Sequence, residues 1–330
     1  MALLEIKNLS IGIKRKKEML TAVDTISLNI EEGEITGLAG ESGCGKSLSA
    51  LSIPRLLPRE AEITGGEILF QGDKNKAPLN MAALDEKELC RIRGKDISMI
   101  FQEPRLSLNP LQRIGTQIAE VLTVHGLSGK KESRAAALEM LNKLGLNKSQ
   151  NIFEAYPHQL SGGMCQRVMI AIAAICRPKL LIADEPTTAL DEKIQNQILE
   201  LLAGINGETG AAVLFISHDL SLVRRFCRRF LVMYAGKIVE GGNAGDIFTH
   251  AVHPYTRGLI GAIPGKEQRG KALANIPGKV PSIEDRLPGC PFAPRCPLAQ
   301  EKCREAFPPK TDLGNGRFVH CFFAEEHPHE

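Results

Sequence analysis

The sequence predicts an α/β fold, a mainly parallel sheet with helices on its faces, followed by a smaller C-terminal domain. Three observations carry this prediction. A strand-like run, Glu34 to Ala39, opens into a glycine-rich turn and then a helix start near Lys46. Two short apolar runs, Leu180–Ala183 and Ala212–Ile216, are bounded by polar residues, as buried parallel strands are. Between them Ile194, Ile198, Leu201, Leu202 and Ile205 recur at helical spacing, so strand, helix and strand alternate.

The remaining elements follow in order. Ala22 to Ile30 reads as an earlier strand, split from the next by a turn at Glu32–Gly33. Pro54 ends the helix that starts near Lys46. From about Asp96 to Gln159 the chain reads as mainly helical, for example Ser133 to Leu144, which places a helical subdomain at about 96–168. After about Gly242 the composition changes, and residues 253–310 are rich in proline with little periodicity. Residues 1–242 are therefore read as one domain and 243–330 as a small appended one.

Bulk composition narrows the class. Of the 330 residues 43% are hydrophobic and 24% charged, an ordinary globular balance. A net charge of +3 is too mild to argue for nucleic acid. No apolar run approaches the roughly 20 residues needed to span a bilayer. The opening MALLEIKNLS lacks the long apolar core of a signal peptide. The expectation is a cytosolic chain that meets a membrane only through a partner. There are nine cysteines, and in a reducing compartment they are not expected to form structural disulfides.

Gly40, Glu41, Ser42, Gly43, Cys44, Gly45, Lys46 and Ser47 fit the pattern G-x-x-x-x-G-K-[ST], between a strand and a helix as the pattern requires. Glycines let backbone N–H groups turn inward around phosphates, and the helix start adds partial positive charge. Lys46 is placed to reach the β- and γ-phosphates of ATP and Ser47 to ligate Mg²⁺. Cys44 reads as a small residue that lets the loop turn, not as a reactive thiol. Leu180–Ala183 ends in two carboxylates: Asp184 is placed to hold Mg²⁺ and Glu185 to act as general base on the attacking water.

A phosphate loop and an acidic strand end describe many nucleotide hydrolases, and the next motif is more specific. Leu160-Ser161-Gly162-Gly163-Met164-Cys165-Gln166-Arg167 resembles the signature of the ATP-binding cassette (ABC) ATPases. Phe101-Gln102-Glu103-Pro104 resembles that family's Q-loop, Thr188-Ala189-Leu190-Asp191 its D-loop, and Ser217-His218-Asp219 its H-loop. The resemblance implies a RecA-like core of the P-loop NTPase type. It implies that Gln102 contacts Mg²⁺ and water, and that His218 holds the γ-phosphate. Ser161, Gly162 and Gly163 then grip ATP bound by the facing subunit, and Asp191 communicates across the dimer. One departure stands out. Members often stack an aromatic residue on adenine upstream of the phosphate loop, whereas Ile11 to Met19 has none and Phe70 is the first aromatic. Ile13, with Arg15 beside it, is the expected substitute.

The C-terminal part resembles one branch of that family. His253-Pro254-Tyr255-Thr256-Arg257, then Cys290-Pro291-Phe292-Ala293-Pro294-Arg295-Cys296-Pro297, resembles the tail of oligopeptide, dipeptide and nickel importer ATPases. Met164 resembles one of the two ATPase types that these importers pair. The resemblance implies a heterodimer with a second ABC ATPase, two membrane permeases and an extracytoplasmic solute-binding protein. It places the chain at the cytoplasmic face of a bacterial inner membrane. Peptide is the expected solute; nickel complexes, opines and sugars are alternatives.

Cys290, Cys296, Cys303 and Cys321 form a C-x5-C-x6-C-x17-C pattern. Four thiolates can hold zinc or a [4Fe–4S] cluster. The spacing lacks short zinc knuckles, and proline-rich irregular chain suits a cluster, as do relatives of this importer group that carry one. Zinc and plain thiols stay open as alternatives. Cys90, Cys176 and Cys227 read as fillers, and His250, His253, His327 and His329 as ordinary histidines. A soluble ABC ATPase acting on nucleic acid or ribosomes is the competing function. Against it stand a single phosphate loop and only 58 residues between Gln102 and Ser161, too few for the coiled coil of repair members. Intact Lys46, Glu185 and His218 argue against a non-enzymatic iron–sulfur regulator.

Overall fold

The computed structural model describes residues 2–16, 18–146, 148–188, 190–263, 275–286 and 288–324; Ala189, His327 and His329 lie outside them. In chain order the strands are β1 (Ala2–Arg15), β2 (Glu18–Glu31), β3 (Ile35–Ala39), β4 (Ala61–Phe70), β5 (Leu79–Asn80), β6 (Ile97–Ile100), β7 (Leu180–Asp184), β8 (Ala212–Ser217), β9 (Arg229–Tyr234), β10 (Lys237–Asn243), β11 (Thr311–Gly314) and β12 (Arg317–Val319). The helices are α1 (Lys46–Ser52), α2 (Glu86–Ile92), α3 (Pro104–Ser107), α4 (Ile114–Val124), α5 (Lys130–Lys143), α6 (Ser149–Glu154), α7 (Gly162–Ala174), α8 (Glu192–Thr209), α9 (Leu220–Phe226), α10 (Ala244–His250), α11 (Pro254–Gly261) and α12 (Lys302–Glu305). None of these is long and apolar enough to cross a membrane.

Two compact units divide the chain: Met1–Leu3, Ile30–Glu34 and Phe70–Leu214 form the first; Leu4–Asn29, Ile35–Leu69 and Phe215–Glu330 form the second. In the first unit β6 and β7 pair in parallel, Ile97 opposite Leu180 and Ile100 opposite Ala183, and every residue of both strands is buried. The expected helical region beginning near residue 96 thus starts with a strand. Four residues buried on both faces carry no periodicity that separates strand from helix. Helices begin at Pro104, and α3 to α7 pack on one another, with α7 running on to Ala174. In α8 the apolar stripe is buried at Ile198, Leu199, Leu202 and Ile205, and Gly210 ends the helix with φ 70°.

In the second unit β2, β1 and β4 are neighbours, and a mixed sheet runs in the order β11-β12-β10-β9-β3. β3 pairs with β9 in parallel, Leu38 opposite Leu231. β9–β10, β10–β12 and β11–β12 are antiparallel, so this part of the sheet is not the parallel arrangement expected. Glu240 of β10 lies opposite Val319 of β12. Residues after 242, read above as an appended domain, therefore share a sheet with the strand that leads into the glycine-rich loop. The core of this sheet is fully buried at Leu38, Phe230, Leu231, Val232, Met233 and Tyr234.

Candidate functional site

The glycine-rich loop of the second unit leaves β3 at Gly40. A Cβ on Gly40 would lie 2.0 Å from the carbonyl oxygen of Met233, so the close approach of β9 excludes any other residue there. Gly45 sits at the N-cap of α1 with φ 107°, in left-handed space, and no side chain caps the helix. The start of α1 carries the partial positive charge that favours an anion. Lys46 is 5% exposed. Its ammonium donates to the carbonyls of Gly40 at 2.8 Å and Glu41 at 3.0 Å, and to Cys44 Sγ at 3.7 Å. Burial pushes the Cys44 thiol up, against the lowering influence of Lys46, which keeps it neutral. Ser42 and Gly43 are exposed, and Ser47 is half-buried on the first turn of α1.

Elsewhere in this unit His218 follows β8 and is exposed. Asp219 next to it caps α9, accepting from the Ser221 N–H at 2.8 Å. Ile13 is half-buried in β1. Arg15, the expected companion for an adenine ring, is paired with Glu284 at 2.9 Å; both side chains are more than half exposed. Exposed pairs of this kind are weak, so the guanidinium is not committed.

The first unit holds the acidic strand end. The register of β6 on β7 sets Ile100 beside Ala183, which brings Gln102 and Glu185, each two residues further on, to the same level. Gln102 Nε2 donates to Glu185 Oε2 at 3.1 Å, and Thr188 Oγ1 donates to the same oxygen at 2.9 Å. Glu185 has φ 47°, an uncommon conformation for a residue with a Cβ, held at a strand end next to buried Asp184. The first two residues were predicted as site members; the hydroxyl of Thr188 was not assigned to Glu185, and the three-residue spacing after a strand end is the signal that could have found it. Ser161 caps α7, its hydroxyl accepting from the Met164 N–H at 3.3 Å. A Cβ on Gly162 would meet nothing within 4 Å among the described residues, so none of them demands glycine there. Asp191, expected to act across a dimer, caps α8 and accepts from the Ile194 N–H at 3.0 Å.

Ser47, Asp184 and Gln102 offer a hydroxyl, a carboxylate and an amide. Each is a hard oxygen donor of the kind Mg²⁺ takes, Ser47 on the second unit and Asp184 and Gln102 on the first.

The four cysteines of the C-terminal part give a mixed result. Among the described residues no group of three or more His, Cys, Asp or Glu is arranged to hold a metal ion. Among the described residues there is thus no preformed ion site, the zinc alternative included. Yet Cys290, Cys296, Cys303 and Cys321 all line one cavity, with His253, Phe292, His320 and Phe323 around them. Burial, then the neighbouring thiols Cys296, Cys303 and Cys321, push Cys290 up to about 12. Four thiols on one cavity wall are the donor type that an iron–sulfur group takes.

Comparison with known proteins gives consistent results. Residues 23–188 match the family model "ABC transporter", and residues 239–303 match "Oligopeptide/dipeptide transporter, C-terminal region". The chain is 46% identical to the oligopeptide transport ATP-binding protein AppD of Bacillus subtilis over 98% of its own length and 97% of the relative's. It is 43% identical to the dipeptide transport ATP-binding protein DppD of Escherichia coli, again over 98% and 97%. Among solved structures it is similar to a dimeric ATP-binding cassette in a post-hydrolysis state bound to ADP and Pi. That likeness has a TM-score of 0.64 and 32% identity, and covers 73% of this chain and 98% of the other.

Proposed function

The chain belongs to the ABC transporter family of ATP-binding proteins, and from that premise we propose that it binds and hydrolyses ATP to power import of peptides through partner membrane permeases. The observation that carries the ATP reading is the loop Gly40–Ser47, with its buried Lys46 and its helix start left uncapped by any side chain. The transport reading is supported by the full-length likeness to peptide transporters, C-terminal region included.

The roles follow from the chemistry of each group. The loop from Gly40 to Gly45 wraps the phosphates, and Lys46 exchanges its carbonyl partners for β- and γ-phosphate oxygens. Ser47, Asp184 and Gln102 would hold Mg²⁺, which supplies charge neutralisation when bound. Glu185 takes the proton of the in-line water, with Gln102 and Thr188 fixing its carboxylate. His218 donates to the γ-phosphate. Ser161, Gly162 and Gly163 present the start of α7 to ATP held by a facing cassette, and Asp191 lies at that junction. Ile13 packs against adenine. Residues 1–242 act as the nucleotide-binding part and 243–330 as the part particular to this transporter branch.

The finer assembly is part of the same reading: a heterodimer with a second cassette subunit, two permeases and an extracytoplasmic binding protein, at the cytoplasmic face of the membrane. Cys290, Cys296, Cys303 and Cys321 would hold a [4Fe–4S] cluster in their shared cavity, which staples a loop-rich segment. Anaerobic purification with assay of iron and acid-labile sulfide tests this, and a metal-free protein would contradict it.

The test of the function is affinity purification of this chain from gently solubilised native membranes. Recovery of two polytopic permeases and a second cassette ATPase is expected. Recovery of ribosomes or DNA factors instead would favour the competing soluble ATPase.

A further inference from the structure

One residue of the phosphate loop is held on three sides. The N–H of Glu41 donates to the Tyr255 hydroxyl at 2.9 Å. Its carbonyl accepts from Lys46 Nζ at 3.0 Å. Its carboxylate takes a two-point grip from Arg295, Nη1 to Oε2 at 2.7 Å and Nη2 to Oε1 at 3.2 Å. Lys46 belongs to the loop itself. Tyr255 and Arg295 come from the segment after residue 242, and the Glu41–Arg295 pair spans 254 positions of sequence.

Both outside partners are buried and held by neighbours. The Arg295 side chain is 5% exposed. Its Nε donates to the Pro277 carbonyl at 2.8 Å, its Nη2 also to Ile276 at 3.1 Å, and its Nη1 also to the Tyr234 hydroxyl at 3.2 Å. A planar fork with several donors meets these acceptors at once; a lysine ammonium cannot. Tyr255 is fully buried, with its ring 4.5 Å from that of Tyr234 and 5.3 Å from that of Phe292. A buried guanidinium needs its counter-charge, and Glu41 is the carboxylate that supplies it. The conformation of Glu41 is thereby fixed in advance, and with it the carbonyls on which Lys46 rests. A loop ordered in advance loses less entropy when phosphate arrives.

We propose that Arg295 and Tyr255 are positioning residues for nucleotide binding: the C-terminal segment braces the first turn of the phosphate loop through Glu41. This rests on the ATP reading above. Neither residue touches the nucleotide, and their effect passes through the backbone of Glu41. If they merely anchored the C-terminal segment, their loss would lower thermal stability and leave the affinity of the folded protein unchanged.

The experiment measures the Kd of a fluorescent ATP analogue with Mg²⁺ on the full chain, beside the melting temperature, for the parent, Tyr255→Phe, Arg295→Lys, Arg295→Gln, Glu41→Gln and the double variant Glu41→Gln with Arg295→Gln. Arg295→Gln and Glu41→Gln are each expected to weaken binding about tenfold, and the double variant no more than either single, since all break one interaction. Arg295→Lys should fall between parent and Arg295→Gln. Tyr255→Phe keeps the ring packing and removes only the acceptor, so about threefold weakening is expected. Kd values within about twofold of the parent, with only the melting temperature lowered, would overturn the brace, as would additive losses in the double variant. A parent that binds no better than Lys46→Ala would overturn the ATP reading itself, and the brace with it.

Discussion

The phosphate loop and the cysteine cavity are both small polar sites, but they are assembled over different distances along the chain. Eight consecutive residues, Gly40 to Ser47, make the loop. The cavity draws on residues from His253 to Phe323, brought together by turns and by β12 joining β10. The loop's residues are adjacent in sequence, although Gly40 is required by the distant Met233 O that approaches it; Gly45 is required locally because its φ is 107°. The cavity's shape is not local, and its thiols are half-buried or buried without forming an ion site. A contiguous loop is legible as a motif; for the cysteines, spacing names the candidate residues but not the shape of the cavity they line.

Substitutions in the two regions should differ accordingly. Gly40→Ala is expected to be the most damaging, because a backbone carbonyl at 2.0 Å cannot step aside as a side chain would. We expect a loss of about 3 kcal/mol in urea unfolding together with lost nucleotide binding. A stable variant that still binds ATP would show that the loop tolerates more movement than its packing allows. Cys303→Ser, in the cavity, should remove bound iron and lower the melting temperature by about 3 °C or more. Retained iron would take Cys303 out of the ligand set and leave the cavity as plain packing. Ile13→Ala should have the smallest effect, a rise of about twofold to threefold in the Kd for ATP with little change in melting. A surface control such as Lys87→Ala should not change it; equal effects would remove Ile13 from the adenine face.

The same contrast explains what could be read from the residues alone. The strands ending at Ala39 and Asp184, the α8 stripe and the eight-residue loop were all visible, because each depends on neighbours a few positions away. β6 was hidden: Ile97–Ile100 is buried on both faces and shows no alternation. The Gln102–Glu185 contact needs the register of β6 on β7, although both residues carried motif signals of their own. Arg295 and Tyr255 stood inside recognisable C-terminal motifs, but nothing near them in sequence points to Glu41. The capping hydrogen bonds of Ser161 and Asp191 fit ordinary helix starts, which is why motif and fold coincide at those positions. The antiparallel strands β10 and β12 show no usable alternation: β10 is buried from Ile238 to Gly242, and β12 has only three residues.

The central claim is that this chain hydrolyses ATP with Glu185 as the base. The direct measurement is phosphate release by the membrane complex purified through this chain, comparing the parent with Glu185→Gln and measuring ATP binding for both. The account predicts that Glu185→Gln binds ATP as the parent does and that its turnover falls by about a hundredfold or more. Hydrolysis by Glu185→Gln at the parent rate would contradict it.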